Sequence, residues 1–278
     1  MTVLRPRLLR RTHCILTMLG FGAAAPSCAS SPASSTPPAP TRSSTASADP
    51  TNGAELVRAM HGRYPAWYRT LRFVQTTTIY RPGGGTLVQT WPEVGRFPGK
   101  LRIETDTMGQ GGVIYRADSV YQFAAGRLAR ADTGMNDLLI LGFDIYAQPV
   151  EATVAVLRRR GFDLGRLSRA TFEGRAMWVV GALPGDTISK QFWVDQERLV
   201  FVRLLEHRRT PTGMRLDDIR FQKFVRHGGG WVAEEVMFYR DGKPSLHEAY
   251  ANVQVNVPLD DALFDPQAWT SVAGRWYK

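Results

Sequence analysis

Cysteine is almost missing from this chain. Of its 278 residues only Cys14 and Cys28 carry a thiol, and 29–278 contains none. That excludes an internal disulfide and a thiolate metal site from everything after residue 28. The apolar run at 14–25 (CILTMLGFGAAA) has 12 residues, too few to span a bilayer as a helix. Catalytic signatures are missing as well. No HExxH, GxSxG or Walker loop occurs, and the glycines at 83–85 and 109–112 fall between strand-like segments where turns suffice. His61, His207, His227 and His247 show no ligand spacing with an acid. Adjacent acids at Asp217-Asp218 and Glu234-Glu235 would point to opposite faces of a strand, so neither pair can share a proton. Asp260-Asp261 suits a capped turn. No repeat of fixed period marks a solenoid or propeller, no residue pattern asks for a metal or cofactor, and the expectation is a protein that is not an enzyme.

Charge of one sign is not concentrated either. The net charge is +10, but Arg5, Arg7, Arg10 and Arg11 account for four of those charges, leaving +6 on 29–278. The remaining basic residues, such as Arg69, Arg72, Lys100, Arg102, Arg203 and Arg220, are scattered along strand-like segments. This argues against a nucleic-acid partner and fits either a mildly basic face toward anionic headgroups or a plain solvated surface. The four arginines and the short apolar run form an export signal over 1–28. It ends in Ala25-Pro26-Ser27-Cys28, which resembles a bacterial lipobox and makes Cys28 the candidate lipidation site, with ordinary signal-peptidase cleavage nearby or a retained anchor as the alternatives. Residues 29–52 are Ser, Thr, Pro and Ala with almost no large apolar side chain, a composition that predicts a disordered tether. Residues 53–278 then form a single domain. The expected location is the periplasmic side of a bacterial envelope, with a membrane anchor at the N-terminus.

What the chain does have is β pattern. Segment 190–209 (KQFWVDQERLVFVRLLEHRR) reads as two strands, 191–195 and 199–206, about a polar turn at 196–198. Strand-like segments precede it at 68–80, 86–94, 99–105, 112–116, 119–124, 169–172 and 176–182, and follow it at 214–225, 231–239 and 245–257. Leu101 and Ile103 alternate with Lys100, Arg102 and Glu104, the mark of a sheet with one wet face. Leu56, Val57, Met60 and Tyr64 recur at helical spacing over 54–64, with Asn52 as N-cap. Two more helices are predicted at 135–147 and 150–160. The fold class is mainly β, an antiparallel barrel or sandwich of about 11–12 strands with helical cover.

Aromatic residues recur on the strands: Phe73, Trp91, Tyr115, Tyr121, Phe123, Trp178, Phe192, Phe201 and Phe238. Two readings stay open, a filled core or an incompletely closed barrel whose concave face holds an apolar chain. On the second reading Leu101, Ile103 and Val194 join these aromatics as cavity candidates, and Leu138, Leu139, Leu141 and Phe143 contribute a lid.

Several pieces in this order resemble the bacterial lipoprotein carrier and receptor family, the LolA/LolB-like proteins. They are the export signal and first helix, Phe73-Val74-Gln75 in a long strand, PGKLRI at 98–103, YRADSVYQF at 115–123, the apolar insert at 138–143, FWVDQERLVFVRLL at 192–205, and Leu263-Phe264-Asp265-Pro266. The resemblance covers about 53–268. It implies a half-open antiparallel barrel with an N-terminal helix and a two-helix insert acting as lid. It further implies acyl chains of lipoproteins or another amphiphile as cargo, an envelope protein as partner, and transfer without chemistry. The family's lid-contacting arginine is assigned to neither Arg69 nor Arg72. A lipid-anchored scaffold with a filled barrel and an envelope hydrolase are the competing readings.

Overall fold

The computed structural model describes residues 48–276, Asp106 and Thr212 excepted. The expected export segment, Cys28 and the tether up to residue 47 lie outside the described residues. Among these, strands β1 (Thr70–Tyr80), β2 (Thr86–Arg96), β3 (Lys100–Thr105), β4 (Gly111–Arg116), β5 (Ser119–Ala124) and β6 (Arg127–Thr133) form a first meander. A second runs through β7 (Leu167–Phe172), β8 (Arg175–Val180), β9 (Gln191–Asp195), β10 (Phe201–Thr210), β11 (Gly213–His227), β12 (Gly230–Arg240) and β13 (Lys243–Val255). The meanders join because β1 pairs with β13 as well as with β2, which gives one antiparallel sheet of thirteen strands bounded by β6 and β7. Those edges do not pair with each other, so the sheet is an unclosed, half-open barrel.

The strand beyond the expected eleven or twelve is β6, RLARADT, in which every residue is exposed. It has no apolar alternation to announce it, because it is an edge strand that buries neither face. Arg127, Arg130 and Asp132 protect such an edge from pairing with another chain.

Helix α1 (Gly53–Arg63) starts where expected: the Asn52 side chain accepts from the Glu55 backbone N–H at 3.0 Å, and Leu56, Val57 and Met60 are buried. Gly53 is needed for close approach, since a Cβ there would lie 2.7 Å from Val180 Cγ1. Asn52→Ala leaves a helix donor unsatisfied and is expected to cost about 1 kcal/mol, read as a lower urea midpoint with an unchanged slope.

Between β6 and β7 the chain becomes helical: α2 (Asp137–Leu139), a π turn over Ile140–Asp144, α3 (Ile145–Ala147) and α4 (Val150–Arg159). The single helix expected over 135–147 is thus widened by a π turn in its middle. Gly142 permits it to pack closely, because a Cβ there would meet the Phe221 ring at 3.3 Å. The largest core lies between the concave face of the sheet and these helices, and it includes Leu56, Met60, Leu141, Ile145, Phe192 and Phe201. No helix among the described residues is long and apolar enough to cross a membrane.

The C-terminal segment, with 3-10 turns at Asp261–Phe264 and Pro266–Ala268, packs on the other face of the first meander. Val94, Leu263, Phe264, Val272 and Trp276 form one cluster there, and Ile114, Phe123 and Trp269 another.

Candidate functional site

Strand register decides what faces the trough. Phe73 lies opposite Glu93, Gln75 opposite both Trp91 and Tyr250, and Thr77 opposite Glu248. Further along, Phe238 pairs with Leu246 and Ile219, and Leu204 with Ile219. With alternate side chains on opposite faces, these residues share one concave surface with Leu71, Ile79, Leu101, Ile103 and Tyr115. Between that surface and the helical insert is a cavity of about 840 Å³, within the range of sites that hold small amphiphiles.

Half of the residues expected at such a site line it: Phe73, Leu101, Ile103, Tyr115, Leu138, Leu139, Phe143 and Phe238. The other half lie elsewhere. Leu141, Trp178, Phe192, Val194 and Phe201 belong to the packed core, where Phe162 meets Phe192 edge-on at 5.3 Å and Phe221 meets Phe201 at 4.9 Å. This end of the trough is filled. Phe123 stacks on Trp269 at 4.0 Å on the opposite face, with Tyr121 packed against the same cluster. Trp91 shares the concave face of the sheet but does not line the cavity; it is half-buried, and its indole N–H donates to Gln89 at 3.1 Å.

The insert is held at several points. Asp137 is buried, accepts from Arg160 at 2.6 Å and pairs with Lys190 at 2.7 Å, and Lys190 also reaches Glu206 at 2.8 Å. Asp144 accepts from the Gly99 backbone N–H at 2.9 Å, beside Phe143 stacked on Phe97 at 4.7 Å. Its burial pushes the carboxyl up to about 7. Tyr146 stacks on Trp67 at 3.8 Å, and its hydroxyl accepts from the Phe201 N–H at 3.2 Å. Of the two arginines, Arg69 donates to the carbonyl of Ala147 at the end of α3, midway along the insert. Arg72 runs the other way, to Gln254 at 2.8 Å and the Trp276 carbonyl at 2.7 Å.

Sequence reasoning missed the cavity's polar floor. Glu93 and Glu248 line it from β2 and β13, on either side of Gln75 and Thr77 in β1. Tyr250 donates to Glu248 at 3.0 Å, and Gln75 Nε2 donates to Thr77 Oγ1 at 2.7 Å. Burial and the like charge of Glu248 push the Glu93 carboxyl well above its ordinary range. Burial pushes Glu248 up to about 7, against hydrogen bonds from Tyr250 and Gln75. The period of two held the signal: Glu93 shares a face with Trp91, and Glu248 with Leu246 and Tyr250, so each acid falls on an apolar face.

The rim carries the opposite charge. Arg81, at the β1–β2 turn, and Arg240 and Lys243, at the β12–β13 turn, are exposed along it. Two histidines do meet acids across strands, His227 with Glu234 at 2.9 Å and His247 with Glu235 at 2.7 Å. Sequence spacing hid both pairs, since each is made by the pairing of two hairpin strands, 7 and 12 residues apart, and not by a local motif. No group of three or more metal-ligating side chains forms among the described residues.

No family model and no curated protein matches the chain by sequence. Solved structures do. A DUF1329 family protein from Desulfovibrio piger ATCC 29098 superimposes with a TM-score of 0.53 at 14% identity, covering 78% of this chain and 97% of that one. A domain from Vibrio parahaemolyticus named for outer membrane lipoprotein sorting gives 0.52 at 10% identity, covering 78% and 98%. The chain has their fold, the LolA/LolB-like half-open barrel.

Proposed function

From a fold shared with a domain named for lipoprotein sorting, we propose that this chain is a non-enzymatic envelope protein that holds the acyl chain of a lipoprotein, or of a related amphiphile, in the cavity beneath Leu138, Leu139 and Phe143. The cavity of about 840 Å³ carries this reading. A barrel serving only as a scaffold has no use for such a volume, and the filled end around Phe192 and Phe201 illustrates what packing looks like where nothing is to be bound. Energetically a chain suffices. At about 0.8 kcal/mol per buried methylene, a dozen methylenes contribute roughly 10 kcal/mol before ordering costs. The exposed Arg81, Arg240 and Lys243 leave a wet rim where a headgroup stays in solvent. The protein works on the periplasmic side of the envelope, tethered through Cys28, and passes its cargo to a protein partner without chemistry of its own.

The test is lipid extraction from the purified full chain followed by mass spectrometry. Acyl lipid is expected to co-purify. Leu138→Asp sets a charge on the half-buried cavity wall and is expected to lower bound lipid at least tenfold, while Ile188→Asp, at a site 70% exposed and away from the cavity, leaves it unchanged. Equal lipid content in both variants, or no lipid in any of them, refutes the reading.

A further inference from the structure

The floor of the cavity has too many hydrogen-bond acceptors. Glu93 is 6% exposed, lines the cavity, and makes no hydrogen bond or ion pair among the described residues. Gln75 is fully buried, and with its Nε2 committed to Thr77 its Oε1 has no partner. Glu248 accepts from the Tyr250 hydroxyl on one oxygen and from the Gln75 amide, which leaves it acceptor sites toward the cavity. The cross-strand register sets Glu93 and Glu248 diagonally on either side of Gln75, both lining the one cavity, and the charge of Glu248 acts on Glu93. Carboxyls in an apolar enclosure are costly unless something donates to them.

Among the described residues no cation pairs with Glu93 or Glu248. Of the cations lining the same cavity, Arg160 is tied to Asp137, and Arg208 and Arg215 are tied to Asp217. Arg81, Arg240 and Lys243 stand at the rim. The groups that act on Glu93 and Glu248 come from the neighbouring strands: the charge of Glu248 on Glu93, and the Tyr250 hydroxyl and Gln75 amide by hydrogen bonds on Glu248, with Tyr115 of β4 close enough to feel Glu93. An ammonium group has three donors and one positive charge, which matches Glu93, Glu248 and the Gln75 carbonyl in both number and sign.

We propose that Gln75, Glu93 and Glu248 form a recognition site for a primary ammonium group carried on an apolar chain. The inference rests on the cavity-binding reading above and narrows its cargo to amphiphiles with an amine inside the barrel. Leu71, Phe73 and Phe238 supply the apolar wall beside the polar floor.

Titration calorimetry of the full chain with n-decylamine and n-decanol, each below its micellar concentration, tests it. At pH 7 decylamine is expected to bind at least tenfold more tightly than decanol. Glu93→Gln and Glu248→Gln keep the size of the side chain and are each expected to bring that ratio below threefold, with decanol affinity unchanged. In the unsubstituted protein, lowering the pH to 4.5 protonates the pair and is expected to erase the preference with no substitution at all. If decanol binds and decylamine binds no tighter, or if both variants keep the preference, the ammonium site is wrong and the cavity reading stands. If neither ligand binds, both fall.

Discussion

Arg102→Ala is expected to destabilise the protein by about 3–5 kcal/mol, the cost of stranding a buried charge. Arg102 and Glu104 are both fully buried and meet at 2.9 Å. The guanidinium also donates to the carbonyls of Trp269 at 2.7 Å and Leu263 at 3.2 Å, and lies 4.0 Å from the Trp269 ring centre. Glu104 in turn accepts from the Gly109 N–H at 2.6 Å. One side chain therefore fastens the C-terminal segment to β3. Removing it leaves the buried Glu104 carboxyl without its cation and two carbonyls without donors. A urea unfolding series measures the loss. The double variant Arg102→Met, Glu104→Leu removes both charges and is expected to recover much of it, since replacing a buried pair by apolar groups is often neutral. A loss below 1 kcal/mol in the single variant would show that the clasp is not what holds this segment.

Stability is expected to fall as the pH rises from about 4 to about 8, and Asp144→Asn to remove a large part of that fall. Burial raises Asp144 from an ordinary carboxyl to about 7, Glu248 to about 7, and Glu93 well above its usual range. A folded-state value above the unfolded one means that the folded protein keeps its proton after the unfolded chain has lost it. The associated stability is complete below the unfolded value near 4 and is lost as the pH climbs through the folded value near 7. Asn at 144 still accepts from the Gly99 N–H but never ionises. At pH 8 the variant is therefore expected to be more stable than the parent by about 2–4 kcal/mol, since each tenfold weakening of the acid on folding corresponds to about 1.4 kcal/mol. At pH 4.5, just above the unfolded value, the gap is expected to shrink to about 1 kcal/mol. Carboxylates held low by arginines, Asp195 by Arg175 and Asp218 by Arg203 and Arg220, act in the opposite sense, and their stability is lost only at lower pH. Unfolding midpoints between pH 4.5 and 8.5 decide the matter; parallel curves for parent and variant would sink it.

Local pattern was readable wherever one residue's environment depends on its near neighbours. Helix α1 was announced by Asn52 and the spacing of Leu56, Val57 and Met60, and the β9–β10 hairpin by its polar turn. In the structure that turn is held by Asp195 Oδ1, which accepts from the backbone N–H groups of Glu197 at 3.0 Å and Arg198 at 2.8 Å. Strand β6 was silent because an exposed edge needs no apolar residue. The π turn in the insert was silent as well, and Gly142 within it packs against the Phe221 ring, far along the chain.

The hairpin at 190–209 shows where local pattern stops. Alternation separates Phe192, Val194 and Phe201 from Trp193, yet it does not say which set faces inward. The structure turns Phe192 and Phe201 into the helix-covered core and lays Arg203 over Trp193 at 4.9 Å on the other face, with Asp218 fixing Arg203 at 2.7 Å.

The sequence by itself determined the strand-rich class, the order of elements that resembles the lipoprotein carriers, and the positions of the helical insert and first helix, because hydrophobic period and turn chemistry are local. Only the tertiary structure decided which end of the trough is filled and which is open, that Arg69 and not Arg72 meets the insert, and that Glu93 and Glu248 flank one glutamine across 155 residues of chain. Those are matters of register between strands distant in sequence, and register is set by the closing of β1 onto β13, a contact that no short stretch of residues encodes.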